Sequence, residues 1–141
     1  MKFPATFSKD DSGGYVVTLR DIPEAITQGD TLEEARKAAI DALITAMDFY
    51  IEDNRQVPVS SKADANEEYV ELPASVSAKI MLLNEMVKKR IRPSDLAKEM
   101  KIKPQEVTRI MDLNHATKID TLASAFMAVG QRLEFQLSDI T

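Results

Sequence analysis

Arg92-Pro93-Ser94-Asp95-Leu96-Ala97-Lys98-Glu99-Met100, the short turn Lys101-Ile102-Lys103, and Pro104-Gln105-Glu106-Val107-Thr108-Arg109-Ile110-Met111 form the stretch that decides how this chain is read. Pro93 sits at a first-turn position, where its missing N–H costs nothing, and Leu96, Ala97 and Met100 fall on one face. In the second segment Val107 and Ile110 point inward, leaving Gln105, Thr108 and Arg109 at i, i+3 and i+4 on the opposite face. The spacing predicts two helices joined as a helix-turn-helix, with the second exposed. Gln and Arg on such a helix suit a DNA major groove, where Gln pairs with adenine and Arg with guanine. The plainer alternative is an αα-hairpin with a polar outer face. The Leu-Ala pair, the short turn, the polar face and a following helix together favour the DNA reader.

Working outward, Val76, Ile80, Leu83 and Val87 make an amphipathic stripe ending in Lys88-Lys89-Arg90. Cations at a helix C-terminus have a sufficient structural reason, and a phosphate contact is the second reading. On the other side, Thr117 is read as the N-cap of a last helix with Ile119, Leu122, Phe126 and Val129 as its core face and Gly130 as its C′ residue. If the reader docks in a groove, Gln105, Thr108 and Arg109 face bases. Lys103, Asn114, Thr117 and Lys118 then lie near phosphate, and Arg92 lies near the DNA backbone at the first helix. Leu133-Glu134-Phe135-Gln136-Leu137 alternates like a short strand, which needs a partner; a second copy of the chain is the natural one.

Charge is unevenly placed along the 141 residues, although the net value is −5. Residues 1–68 carry seven Lys and Arg against fourteen Asp and Glu, whereas 75–118 carry ten against five. A basic module joined to an acidic one fits DNA at one end and a basic partner at the other. A well-solvated acidic surface explains the front half equally well. With 44% hydrophobic residues there is enough for a core, yet no apolar run approaches a membrane span. The absence of Cys excludes disulfides and thiolate sites. Met1 to Ser8 lacks the apolar stretch of a signal peptide, and a cytoplasmic location is expected.

In the front half, Phe3, Ala5 and Phe7 alternate with polar neighbours, as do Tyr15, Val17 and Leu19, predicting a hairpin around the Lys9–Gly14 loop. Asp21-Ile22-Pro23 leaves the sheet, and Gln28-Gly29-Asp30 is read as a turn. Thr31-Leu32-Glu33-Glu34 is a capping-box sequence opening a helix striped by Leu32, Ala35, Ala39, Leu43, Ala46 and Tyr50. That helix is expected to end near residues 51–54, before an extended Val57-Pro58-Val59. Residues 60–68 read as a linker or long loop. Tyr69-Val70-Glu71-Leu72 is a strand that either returns to the first sheet or starts the second module.

Gly13-Gly14-Tyr15-Val16-Val17, Asp21 through Thr31, and Glu33-Glu34-Ala35 resemble the HicB antitoxin family, and the likeness continues through the alanine-rich helix to Phe49-Tyr50. The back half resembles the Xre/Cro-type helix-turn-helix of one HicB branch. The resemblance implies an α+β chain with three parts. A partial ribonuclease-H-like ββα(β) domain spans 1–59, extended to 69–72 if that strand joins it. A linker or strand occupies 60–73, and an all-α DNA-binding and dimerisation domain with a short C-terminal strand spans 74–141. It also implies a HicA-like partner, a small basic mRNA-cleaving toxin, together with operator DNA and a homodimer or higher oligomer. Tyr15 and Asp21 are the candidate toxin contacts. Three positions depart from the family pattern: Arg20 where proline is usual, Glu24 where glycine is common, and Lys101 where a positive φ favours glycine at a cost of roughly 1 kcal/mol for other residues.

No enzymatic role, cofactor or metal is expected. Asp10, Asp11, Asp21, Asp30, Asp48 and Asp53 each have an ordinary turn or surface explanation, whereas two-metal hydrolysis needs converging carboxylates. His115, the only histidine, lies after the second reader helix, where a phosphate contact and a plain loop position are both open. The rival function is a ligand-sensing transcriptional regulator with no toxin partner; a metal-dependent nuclease is a weaker one.

Overall fold

The computed structural model describes residues 1–140. The front half is a four-stranded antiparallel sheet carrying one long helix. The strands are β1 (Lys2–Lys9), β2 (Tyr15–Thr18), β3 (Ile26–Gly29) and β4 (Glu68–Glu71), in the order β3-β2-β1-β4. Helix α1 (Leu32–Glu52) buries Ala35, Ala39, Leu43, Ala46, Met47 and Tyr50, so its alanine-rich face lets the helix approach closely. The fold is α+β, and Tyr69-Val70-Glu71 belongs to the first sheet: Phe3 stands opposite Val70 and Pro4 opposite Tyr69.

Strand β3 falls where a turn was expected, and the predicted ββα order becomes βββα. Ile26-Thr27-Gln28-Gly29 has too little alternation to announce a strand, yet it pairs with β2 from Thr18↔Ile26 to Tyr15↔Gly29. Gly29 also has a packing reason. A Cβ there would lie 2.5 Å from the Ala35 nitrogen and 2.8 Å from its Cα. Both contacts are backbone and cannot swing aside. Gly29→Ala is therefore expected to destabilise the protein by about 1–3 kcal/mol, read as a lower urea midpoint with an unchanged slope.

Local caps differ in detail from the capping-box reading. Thr31 Oγ1 accepts from the Glu34 N–H at 3.1 Å, as expected, but the Glu34 carboxylate reaches the N–H of Asp30 rather than that of Thr31. Residues 60–68 are likewise not a free linker. Asp21 accepts from the Ser61 N–H at 2.7 Å and from its hydroxyl at 2.8 Å. The Arg20 guanidinium holds Glu67 through two bonds of 2.9 Å and donates to the Lys62 carbonyl at 2.8 Å. A polar composition reads as a solvated loop, but here the polar groups face fixed partners just beyond β2. These bonds also account for two departures from the family pattern. Proline at 20 could not make them, and Glu24 accepts the Tyr50 hydroxyl at 3.0 Å beside Arg55.

The back half is helical: α2 (Ala74–Lys88), α3 (Pro93–Met100), α4 (Pro104–Ile110) and α5 (Ile119–Ala128). Buried apolar side chains form one continuous cluster from Phe3 to Val129. Helix α2 carries that continuity, because Asn84 accepts from the Val57 N–H at 2.8 Å and donates to the Val57 carbonyl at 3.3 Å.

Two expectations for the last segment are corrected, at Thr117 and at Ile119. Within the single chain Leu133–Leu137 is unpaired, and Phe135 and Leu137 are 77% and 98% exposed, open to a second copy. The helices of the same chain satisfy their own backbone groups and offer this segment no edge, so the partner expected for it is the second copy. Lys118, not Thr117, is the N-cap of α5, and it makes no side-chain cap bond. Ala125 completes the buried face with Leu122, Phe126 and Val129, leaving Ile119, the first helical residue, 49% exposed at the margin of the stripe.

Candidate functional site

Helix α3 is pinned at its start. The Asp95 carboxylate accepts from the Arg92 N–H at 2.9 Å and from the Arg92 Nε at 3.2 Å. That pairing holds the Asp95 carboxyl below the usual carboxylate range. Leu96 and Ala97 are buried, and the helix stops at Lys101, whose φ of 58° and ψ of 43° are left-handed. The Ile102 N–H then reaches back to the Ala97 carbonyl at 3.0 Å. The non-glycine residue thus occupies the conformation that normally favours glycine. Lys101→Gly is expected to stabilise the protein by less than about 1 kcal/mol, read as a slight rise in melting temperature, since relief of the strain is offset by glycine's larger entropy loss.

Helix α4 starts after extended Lys103 with proline in its first turn, and buries Val107 and Ile110. Gln105, Thr108 and Arg109 are exposed together on its outer face. The Thr108 hydroxyl donates to the Pro104 carbonyl at 3.2 Å, so toward a ligand it offers lone pairs and a methyl group. Among the described residues, the side chains of Gln105, Arg109, Lys103 and Lys118 make no hydrogen bond or ion pair. Free donors and cations thus stand on a short exposed helix, at its N-cap and in the loop after it, with exposed Glu106 among them.

The other candidates divide. Asn114 is exposed on the loop, where its N–H bonds the Asp112 carboxylate at 2.9 Å. Arg92 is exposed but its charge is shared with Asp95. The Thr117 hydroxyl is buried without a partner, so Thr117 drops out as a side-chain phosphate contact. Tyr15 is half-buried on β2, and Asp21 is committed to Ser61. Of the six aspartates considered for a metal, Asp10 caps the β1–β2 turn through the Asp11 N–H and the Ser12 hydroxyl. No group of three or more His, Asp or Glu converges to hold a metal among the described residues, and no helix is long and apolar enough to cross a membrane.

Sequence reading missed Lys79. It lies on α2 and is 1% exposed, with its ammonium donating to the Asp112 and His115 carbonyls at 2.6 Å each and to the Arg109 carbonyl at 3.3 Å. Burial draws the Lys79 pKa down, and nearby Asp112 opposes that shift. A lysine normally reads as surface, yet Lys79 follows Val76 by three and precedes Leu83 by four, on the apolar stripe itself. Lys89, expected at a helix C-terminus, serves that of a different helix: its ammonium donates to the Val129 carbonyl at the end of α5.

Comparison with known proteins gives a consistent result. A family described as "HicB_like antitoxin of bacterial toxin-antitoxin system" matches residues 2–81. "Antitoxin HicB 2" of Photorhabdus laumondii is 48% identical over 134 residues, 95% of this chain and 94% of that protein. "Antitoxin HicB 1" of the same organism is 45% identical over 137 residues, covering 97% and 87%. "Antitoxin HicB" of Escherichia coli K12 is 44% identical over 133 residues, covering 94% and 96%.

Proposed function

The chain belongs to the HicB antitoxin family, and from that premise we propose that it neutralises a HicA-like ribonuclease toxin and represses its own operon. The acidic front domain, a partial ribonuclease-H-like unit, docks the basic toxin. The back half is an Xre/Cro-type helix-turn-helix built from α3 and α4, and it reads operator DNA. The observation that carries the DNA reading is the outer face of α4, where Gln105 and Arg109 stand exposed and unpaired beside Lys103 and Lys118. Unpaired donors at i and i+4 reach base edges together, while flanking cations neutralise phosphates. The exposed apolar side chains of Ile119, Met127, Phe135 and Leu137 support a homodimer, in which a second copy covers them.

The toxin-facing residues are sought on the acidic surface of the front domain, with Tyr15 retained as a candidate. Asp21 is a weaker one, because its carboxylate already serves Ser61. Two experiments test the function. Co-expression with the small basic reading frame beside this one should restore growth that the frame alone arrests. The purified chain should also prefer the duplex upstream of its gene over a shuffled duplex. Continued arrest in the first would reject the antitoxin role, and equal affinity in the second would reject operator repression.

A further inference from the structure

A seven-residue helix such as α4 has little rigidity of its own, and its last carbonyls lack intrahelical partners. After it the chain reverses over residues 111–118, which include Asn114 and Lys118. Two backbone bonds shape that reversal: the Asp112 N–H to the Arg109 carbonyl at 3.1 Å, and the His115 N–H to the Asp112 carbonyl at 3.1 Å. Two of its carbonyls, from Asp112 and His115, converge with that of Arg109 in α4 on the single ammonium of Lys79. An ammonium has three donors and no acceptor, so this carbonyl set uses its full capacity. Burying the charge is costly, and the carbonyls offset that cost only while the loop keeps this geometry. Lys79 therefore ties the end of α4 and the loop after it to α2, and one of its acceptors is the backbone of Arg109 itself.

We infer that Lys79 is a positioning residue for operator recognition, setting the angle between the base-facing side of α4 and the phosphate-facing loop. The inference rests on the operator reading above. Lys79 is too buried to touch DNA, so it adds nothing to the phosphate attraction that drives non-specific binding. Its loss should affect discrimination between sequences and spare general affinity. That split separates positioning from a simple loss of charge.

The test uses full-length Lys79→Met at a temperature where circular dichroism shows it folded. The probes are the duplex upstream of the gene and a shuffled duplex of the same composition. The expected result is a loss of about tenfold or more in the preference for the upstream duplex, with affinity for the shuffled duplex within about twofold. Growth rescue against the toxin should persist. If Lys79→Met does not fold, Lys79→Gln, which keeps two donors on a shorter stem, carries the same comparison. An unchanged preference, or equal losses on both duplexes, would overturn the inference alone. A wild-type chain with no preference would overturn the operator reading and the inference with it.

Discussion

Arg109→Ala is expected to lower affinity for the cognate operator about 5- to 150-fold, equivalent to roughly 1–3 kcal/mol, and to relax preference at one base pair. The guanidinium is exposed on α4 and free of any partner among the described residues, so its removal leaves no orphaned group in the protein. Its backbone is held by Lys79, so the helix itself should remain in place. Lys118→Ala is the control. It removes a charge from the loop and should weaken all sequences alike, with the salt slope reduced by roughly 0.9. Toxin neutralisation should survive both substitutions. Equal losses on cognate and random DNA for Arg109→Ala would show that Arg109 contacts phosphate and not a base.

The second large effect concerns where the toxin-binding unit ends. A fragment ending at Val59 is expected to fail to fold, because it removes β4 and leaves one edge of β1 unpaired along Lys2–Ala5. It also strips the cover from Phe3, which is fully buried. A fragment ending at Pro73 restores that pairing and should be soluble and rescue growth. One ending at Lys88 should be the most stable of the three, since it also keeps the Asn84 bonds to Val57 and the burial of Val57, Leu72 and Val76. Melting temperatures and growth rescue, measured side by side, check this ranking. A 1–59 fragment that melts cooperatively and rescues growth would mean that β4 is dispensable. Rescue by 74–141 and not by 1–73 would reverse the proposed division of roles.

Legibility in the sequence followed the range of the forces involved. The alternation of Phe3, Ala5 and Phe7, the alanine-rich face of α1, the stripe of α2 and the α3–turn–α4 pair are local patterns with periods of 2 or 3.6, and each appears where it was read. The left-handed Lys101 was legible through the family resemblance, which puts a position favouring glycine at that turn. Tertiary structure decided the rest, wherever a residue's role depends on a distant partner. Ile26–Gly29 becomes a strand because β2 offers an edge, and Gly29 is required because the backbone of Ala35 lies against it. Arg20 and Asp21 turn residues 60–68 from a solvated loop into a held one. Lys79 becomes a buried anchor because three carbonyls from the end of α4 and the loop after it, thirty or more residues away, converge on it. Leu133–Leu137 carries the period of a strand but pairs with nothing inside one chain, since a period specifies which face a segment would bury but cannot supply the edge to pair with.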